Sequence, residues 1–157
     1  GPLTSRMNRR ALEVPAVEWQ RTASRQSSVS LLMVDVDYFK RINDAHGHPE
    51  GDRVLVNFAR QLQAGARGSD LVARYGGEEF VLWLPDADAE AAARIAERVH
   101  KCARRVRSLA GPVTVSVGLA CAAHQTGADF LARLLKRSDE AVYRAKALGR
   151  NCTVVSD

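Results

Sequence analysis

Residues 71–84 read Leu71-Val72-Ala73-Arg74-Tyr75-Gly76-Gly77-Glu78-Glu79-Phe80-Val81-Leu82-Trp83-Leu84. Both ends of this segment are apolar and strand-like, and a Gly-Gly pair permits the positive φ angles of a two-residue hairpin turn. We therefore predict a β-hairpin over residues 70–84 whose tip carries Glu78 and Glu79. Taken alone, the pattern also describes an ordinary hairpin with two solvated glutamates.

The most apolar run of the chain lies upstream and ends in two aspartates. Residues 29–34, Val29-Ser30-Leu31-Leu32-Met33-Val34, predict a strand buried on both faces, and Asp35-Val36-Asp37 follows it. Carboxylates at this strand end, facing those of the hairpin, would form the oxygen-rich site that suits Mg²⁺ carrying substrate phosphates. The alternative is that Asp35 and Asp37 cap the strand or the next helix.

Length and composition predict a single globular domain. The chain has 157 residues, enough for a core of its own, and 46% of them are hydrophobic. Because it has neither an apolar run of membrane-span length nor a signal-peptide pattern, we expect a cytoplasmic domain without membrane contact. Gly1-Pro2 resembles a tag remnant. Residues 3–157 are therefore expected to be one domain excised from a longer protein, which its missing N-terminal regions could anchor to a membrane.

The net charge of the chain favours acidic partners but does not distinguish one class of acidic partner from another. A formal net charge of +5 suits nucleotide phosphates as well as nucleic acid. Aromatic residues are not interleaved with the basic ones, as a single-strand binding groove requires, so we expect no specific nucleic-acid binding. The three cysteines have neither CxxC nor Cys/His spacing, which favours reduced, packed thiols over a zinc site or a disulfide.

Hydrophobic periodicity predicts the remaining elements. Helices are expected at residues 6–26, with Pro15 as a point of interruption, and at 38–42, 49–63, 89–109 and 128–148; strands are expected at 28–36, at 113–120 with one packed face, and at 153–155. The order matches a split βαβ sandwich with an extra helix and strand. The predicted class is thus α/β, an α+β sandwich with a mainly antiparallel central sheet flanked by helices.

Taken together, several blocks resemble the GGDEF domain, the catalytic module of diguanylate cyclases. Gly76-Gly77-Glu78-Glu79-Phe80 is the GGEEF variant of that family's signature. The other matching blocks are Asn8-Arg9-Arg10, Asp35-Val36-Asp37-Tyr38-Phe39-Lys40, residues 43–52, Arg74-Tyr75, Ser116-Val117-Gly118 and residues 141–151. The resemblance implies a ferredoxin-like palm fold, related to adenylyl cyclase and polymerase palm domains. It also implies condensation of two GTP into cyclic di-GMP with release of two pyrophosphates.

The resemblance also implies a metal site. Asp35, the backbone carbonyl of Val36 and Glu78 match the family's metal ligands, and Glu79 matches a further ligand or a proton acceptor. The implied cofactor is Mg²⁺, two ions per site, with Mn²⁺ as an alternative. Such ions would polarise the α-phosphate and lower the pKa of an attacking ribose 3′-hydroxyl.

Two further residues match the family's guanine-reading pair. Asp52 can accept hydrogen bonds from the N1 and N2 edge of guanine, while the Asn43 amide can both donate and accept; adenine would leave these groups unpaired. As structural alternatives, Asn43 suits a helix cap and Asp52 a first-turn helix charge.

The phosphates of GTP have their own matching residues. Lys146 and Arg150, four apart at the end of the last helix, match cations for the terminal phosphates, although they would also complement a helix C-terminus. Lys40 matches the family's transition-state stabiliser. Backbone N–H groups around Tyr38 and Phe39 would cradle the β and γ phosphates at a helix start, the two side chains serving in packing.

Arg67-Gly68-Ser69-Asp70 matches the family's RxxD inhibitory pattern, five residues ahead of the signature. The resemblance implies that cyclic di-GMP, the product, binds there and slows the enzyme. Arg67 would form a fork on a phosphate or on the Hoogsteen edge of guanine, and Asp70 would accept from guanine. Arg98 is a further candidate contact, from the same or a partner domain.

The chain departs from the family pattern at its start, where Gly1-Pro2-Leu3-Thr4-Ser5-Arg6-Met7 stands in place of Asp-x-Leu-Thr-Gly-Leu, with the Asp lost and the Gly replaced. This departure affects the hinge that relays a sensor's signal. Catalysis implies a homodimer, because each 3′-hydroxyl must meet the α-phosphate of the other nucleotide. The alternatives are a non-catalytic GTP or cyclic di-GMP receptor of the same fold, and another nucleotidyl cyclase or palm-type polymerase.

Overall fold

The computed structural model describes residues 9–157, and the altered motif at residues 3–7, with Gly1, Pro2 and Asn8, lies outside them. The elements follow in the order α1 (Arg9–Thr22), β1 (Ser28–Val36), α2 (Phe39–His46), α3 (His48–Ala64), β2 (Leu71–Arg74), β3 (Glu79–Pro85), α4 (Ala89–Arg105), β4 (Val115–Ala123), α5 (Phe130–Ala147) and β5 (Thr153–Val155). Between residues 9 and 157, no helix has both the length and the apolar character needed to span a bilayer.

The strands form one five-stranded sheet in the order β2-β3-β1-β4-β5. The central strand β1 pairs antiparallel with both β3 and β4, β2 pairs antiparallel with β3, and β5 runs parallel to β4. The predicted mixed fold, with a mainly antiparallel sheet flanked by helices, is confirmed.

Each face of the sheet has its own apolar core because side chains of a strand alternate between faces. Leu32 and Val34 of β1 belong to the core that includes residues of α3 and α4. Leu31 and Met33 belong to the core under α1 and α5. β1 is therefore buried on both faces, as its largely apolar sequence predicts.

β4 differs from the prediction of one packed face, because both of its faces are buried over most of its length. Gly118 lies so close beneath α5 that a Cβ there would come within 2.1 Å of the Ser138 carbonyl oxygen and 2.6 Å of the Val142 nitrogen. The small residues on this face therefore admit the backbone of a helix and do not indicate solvent.

The hairpin exists as predicted, but its turn is different. Residues 75–78 separate β2 from β3, and neither Gly76 nor Gly77 has a positive φ. The N–H groups of Tyr75 and Gly76 both donate to the Glu79 carbonyl, at 2.7 and 3.3 Å. A Cβ at Gly76 would lie 2.6 Å from Glu79 Oε1, so a larger residue there would require the Glu79 side chain to move.

Helix boundaries also depart from the prediction. α1 continues through Pro15 without interruption and ends at Thr22, α2 extends to His46, and α4 ends at Arg105. The buried stripe predicted for α5 is confirmed at every position: Leu131, Leu134, Leu135, Ser138, Ala141, Val142 and Ala145.

Candidate functional site

A pocket of about 410 Å³ opens where β1 ends, beside the hairpin and the end of α5. It gathers predicted residues that are far apart in the chain. Those on its walls are Asp35, Val36, Tyr38, Phe39, Lys40, Glu78, Lys146 and Arg150. Glu79, Asn43 and Asp52 do not line it.

The pairing of β1 with β3 brings the acidic residues together. Asp35 is directly opposite Glu79 in the antiparallel register, so their side chains project from the same face. The Val36 N–H donates to the Glu78 carbonyl at 3.1 Å, which holds the hairpin against the end of β1. We call Asp35, Glu78 and Glu79 the acid edge.

Burial raises the pKa of every carboxyl group of the acid edge. For Glu78 and Glu79, the neighbouring charge of Asp35 raises the pKa further. For Asp35, burial outweighs the hydrogen bond and the charge of Lys146, both of which lower its pKa. Carboxyl groups whose pKa values are raised by burial and by a neighbouring carboxylate are candidates for a functional site.

Lys146 contacts the acid edge through Asp35. Its ammonium donates a short hydrogen bond to Asp35 Oδ2, and the Asp35 side chain is 10% exposed. The residue that was predicted to bind substrate phosphates thus contacts a predicted metal ligand. Asp35 is therefore placed to hold a cation.

The donor set fits a magnesium ion that arrives with its substrate. Within residues 9–157, no three acidic, histidine or cysteine side chains form a ready cage for a metal. Mg²⁺ does not require one, because it commonly takes one or two carboxylates and completes its shell with water and substrate phosphates. Asp35 and Glu78, on the wall of one pocket, supply such a pair.

Asp37 has a structural role, which corresponds to the alternative interpretation of the two aspartates. Its carboxylate accepts hydrogen bonds from Thr114 Oγ1 at 2.7 Å, Ser116 Oγ at 2.6 Å and the Asn151 N–H at 3.0 Å. It is 6% exposed. Asp37 therefore ties β4 and the segment after α5 to the end of β1, which explains the Ser116 block of the sequence.

The start of α2 forms the opposite wall of the pocket. The first hydrogen bond of this helix runs from the Arg41 N–H to the Tyr38 carbonyl, at 3.0 Å, so the N–H groups before it have no helical acceptor. Tyr38 has a left-handed φ of 55°. Lys40 is 91% exposed and lies 3.9 Å from Asp44.

Arg41 is a pocket residue that the sequence analysis missed. Its guanidinium lies 4.1 Å from the centre of the Tyr38 ring, and that of Arg150 lies 4.9 Å from the same centre. The predicted packing role of Tyr38 thus consists of holding two cations beside the pocket. The position of Arg41 three residues after Tyr38, at the start of α2, was the available signal.

The two residues of the guanine pair lie on adjoining helices, Asn43 on α2 and Asp52 on α3. Asp52 is exposed. Asn43 Oδ1 is buried and has no hydrogen-bond partner among residues 9–157. A buried amide oxygen without a partner is uncommon in folded proteins and is a site where a functional reason is sought.

The RxxD turn, residues 67–70, is closed on itself. Arg67 donates to Asp70 Oδ1 from Nε at 3.0 Å and from Nη2 at 2.6 Å, and its backbone N–H donates to Oδ2 at 2.9 Å. Nη2 also donates to the Pro85 carbonyl at 3.1 Å. The hydrogen bond to Asp70 raises the pKa of Arg67.

A second cavity, of about 420 Å³, lies between α3 and α4 and includes Asp70 and Arg98 in its lining. Two of the three predicted inhibitory-site residues therefore share one cavity. Arg67 does not line this cavity, because its side chain is hydrogen-bonded to Asp70.

Comparison with known proteins gives consistent results. The family model for the diguanylate cyclase GGDEF domain matches residues 2–152. The response regulator PleD of Caulobacter vibrioides is 46% identical over 132 residues, which cover 80% of this chain and 29% of PleD. Diguanylate cyclase DgcM of Escherichia coli is 47% identical over 123 residues, covering 78% of this chain and 29% of DgcM. The chain therefore spans less than a third of these two relatives.

Solved structures resemble the whole chain. The GGDEF domain of YfiN from Pseudomonas aeruginosa has a TM-score of 0.85 at 36% identity and covers 99% of each chain. The GGDEF domain of DgcB from Caulobacter crescentus, solved in complex with c-di-GMP, has a TM-score of 0.83 at 28% identity, covering 99% of this chain and 94% of that one.

Proposed function

Because the chain belongs to the GGDEF family and has its palm fold, we propose that it is a diguanylate cyclase domain. Residues 3–157 would act as one catalytic domain that condenses two GTP into cyclic di-GMP and two pyrophosphates. The observation that carries the proposal is the meeting of Asp35 and Glu78 with Lys146 and Arg150 in a single pocket. Acids for a metal and cations for phosphates are the two requirements of phosphoryl chemistry.

The metal would be Mg²⁺, two ions per site, or Mn²⁺ in its place. Asp35, the Val36 carbonyl and Glu78 would hold it, with Glu79 as a further ligand or as the acceptor of the 3′-hydroxyl proton. When bound, the metal supplies polarisation of the α-phosphate and a lower pKa for the attacking hydroxyl.

The residues of the chain bind and orient the nucleotide. Lys146 exchanges its hydrogen bond with Asp35 for one with a terminal phosphate, and Arg150, held against Tyr38, contacts the same phosphates. The N–H groups of Tyr38 and Phe39 at the start of α2 bind the β and γ phosphates. The exposed Lys40 is free to approach the charge that develops in the transition state.

Asn43 and Asp52 would select the guanine base. Asp52 accepts from the N1 and N2 edge of guanine, which adenine does not offer. Asn43 Oδ1 has no hydrogen-bond partner among residues 9–157, so the amide is not held by another protein group through this oxygen.

Turnover requires a second domain. One pocket holds one GTP, and the 3′-hydroxyl of each nucleotide must reach the α-phosphate of the other in line. Two antiparallel copies would satisfy this geometry. Cyclic di-GMP would then inhibit at Arg67 and Asp70, with Arg98 as an additional contact, once Arg67 releases Asp70.

The test is to incubate the domain at high concentration with GTP and Mg²⁺ and to identify products by chromatography and mass. We expect cyclic di-GMP from the wild type and none from Glu78→Ala. A matched control is Glu90→Ala, whose side chain is 86% exposed in the first turn of α4. If enforced dimers make no product but still bind cyclic di-GMP, the domain is a receptor and the cyclase proposal is wrong.

A further inference from the structure

Gly51, in the first turns of α3, lies directly against the amide of Asn43 on α2. A Cβ at Gly51 would come within 1.9 Å of Asn43 Oδ1, and within 3.0 Å of both Asn43 Cγ and Phe39 Cζ. Gly51 is buried and helical, without a positive φ. The glycine is therefore required by the close approach of a side chain and not by its backbone conformation.

The atom nearest to that Cβ position is the end of a flexible side chain and not the backbone of a neighbouring helix. If a methyl group were added at Gly51, the Asn43 amide would have to rotate away, while α3 could keep its path. Alanine also has a higher helix propensity than glycine, so the substitution does not itself oppose the helix.

The contact fixes which end of the Asn43 amide faces α3. Oδ1 is packed against Gly51, where it is buried and accepts no hydrogen bond from any described residue. Because Oδ1 accepts no hydrogen bond within residues 9–157, its packing against Gly51 is the contact that orients this end of the amide. The following residue, Asp52, belongs to the same turn of α3.

We propose that Gly51 is a positioning residue for base recognition: its missing side chain sets the orientation of the Asn43 amide, and through it the preference for guanine over adenine. This inference rests on the proposed function, which assigns Asn43 and Asp52 to guanine. One turn of α3 thus contributes both the carboxylate that reads the base and the space that orients the amide.

The test uses Gly51→Ala, with binding of non-hydrolysable GTP and ATP analogues in Mg²⁺ measured by calorimetry. We expect affinity for the GTP analogue to fall about tenfold or more, because misplaced polar groups are heavily penalised in base selection. Affinity for the ATP analogue, which gains little from this amide, should stay nearly constant. The matched control is Gly65→Ala at the other end of α3, where the nearest atoms are 3.9 Å from the added Cβ and both affinities should be unchanged.

Two further measurements separate positioning from general damage. The side-chain amide resonances of Asn43 should shift in Gly51→Ala and not in Gly65→Ala. In the Asn43→Ala background, adding Gly51→Ala should cause no further loss of GTP affinity, because the amide through which it acts is gone and the clash with it is removed.

An unchanged GTP-over-ATP ratio in folded Gly51→Ala, or losses that add in the double variant, would overturn the inference. Failure of the proposed function would look different, since the wild type itself would then show no preference for the GTP analogue. In that case the link to guanine falls as well, while the Asn43 resonances still report whether Gly51 positions the amide.

Discussion

The acid edge and the RxxD turn both place carboxylates beside a cation, but with opposite electrostatic results. At the acid edge, Asp35 and Glu79 face each other across two strands, and burial raises the pKa of both. In the RxxD turn, the Asp70 carboxylate is 2% exposed and is matched by both the side chain and the backbone of Arg67. An added cation would therefore stabilise the acid edge, whereas a ligand of the RxxD turn must first open an existing pair.

The largest expected effect comes from removing the central carboxylate of the acid edge. We expect Asp35→Ala to lower the initial rate of cyclic di-GMP formation by about 10³-fold or more, because loss of metal binding removes several kcal/mol of transition-state stabilisation. Glu18→Ala, at a 60% exposed position on α1, should leave the rate unchanged. An Asp35→Ala enzyme with normal turnover would rule out a metal site at this edge.

Opening the RxxD turn should have a smaller effect, and it should change folding stability and product inhibition rather than the catalytic rate. Arg67→Ala leaves the buried Asp70 with the backbone N–H of residue 67, so we expect a loss of about 1–2 kcal/mol in urea unfolding. The initial rate should be unchanged, while inhibition by added cyclic di-GMP should disappear. Arg94→Ala, at a 71% exposed position, serves as the control for both. Inhibition that persists in Arg67→Ala would show that the product acts elsewhere.

Glu50 allows the same comparison to be tested by varying the pH, because its carboxylate, like that of Asp70, accepts hydrogen bonds from an arginine and from a backbone N–H. Hydrogen bonds from Arg53 and from the Leu109 N–H lower the pKa of Glu50 from 4.5 to about 2. Its stabilising contribution is therefore complete above pH 4.5 and is lost as the pH falls towards 2.

The measurement is urea unfolding of the wild type and Glu50→Gln at several pH values. We expect the wild type to be more stable at neutral pH, and the difference between the two to narrow below pH 4.5. A constant difference would contradict the pairing. At the acid edge, stability should change with pH in the opposite direction. A carboxyl group with a raised pKa destabilises the folded state when it is ionised, and protonation removes that destabilisation.

The smallest expected effect is a gain in stability at the acid edge. Glu79→Gln removes one of two like charges in directly opposed positions, so we expect the metal-free domain to be stabilised by about 0.2–1 kcal/mol in thermal unfolding. The gain should shrink when Mg²⁺ is present. A destabilised variant would show that the Glu79 charge is already compensated.

Local patterns were sufficient to predict most elements. The apolar run of β1 and the seven-residue stripe of α5 depend only on residue type and spacing, and both predictions are confirmed. The second face of β4 could not be predicted, since it depends on the contact of Gly118 with the backbone of α5, a distant element. The hairpin turn differs for a local reason: neither glycine has a positive φ, and the N–H groups of Tyr75 and Gly76 bind the Glu79 carbonyl.

The matching motifs correctly identified the family, and the pocket brings most of the predicted site residues together. The motifs could not distinguish the two aspartates, which are equivalent in type and position at the end of one strand. Only their surroundings separate them: Asp37 is paired with neutral donors from β4 and from the segment after α5, and Asp35 is paired with Lys146, 111 residues away.

The amino-acid pattern was therefore enough to establish the fold class, the family and the types of side chain at the site, because all of these follow from local spacing and residue identity. The tertiary structure was needed to establish which carboxylate is structural, that Arg67 of the RxxD turn also binds the Pro85 carbonyl at the end of β3, and that Gly51 makes room for the Asn43 amide. These properties are relations between groups on different elements, so they arise only when packing brings the elements together.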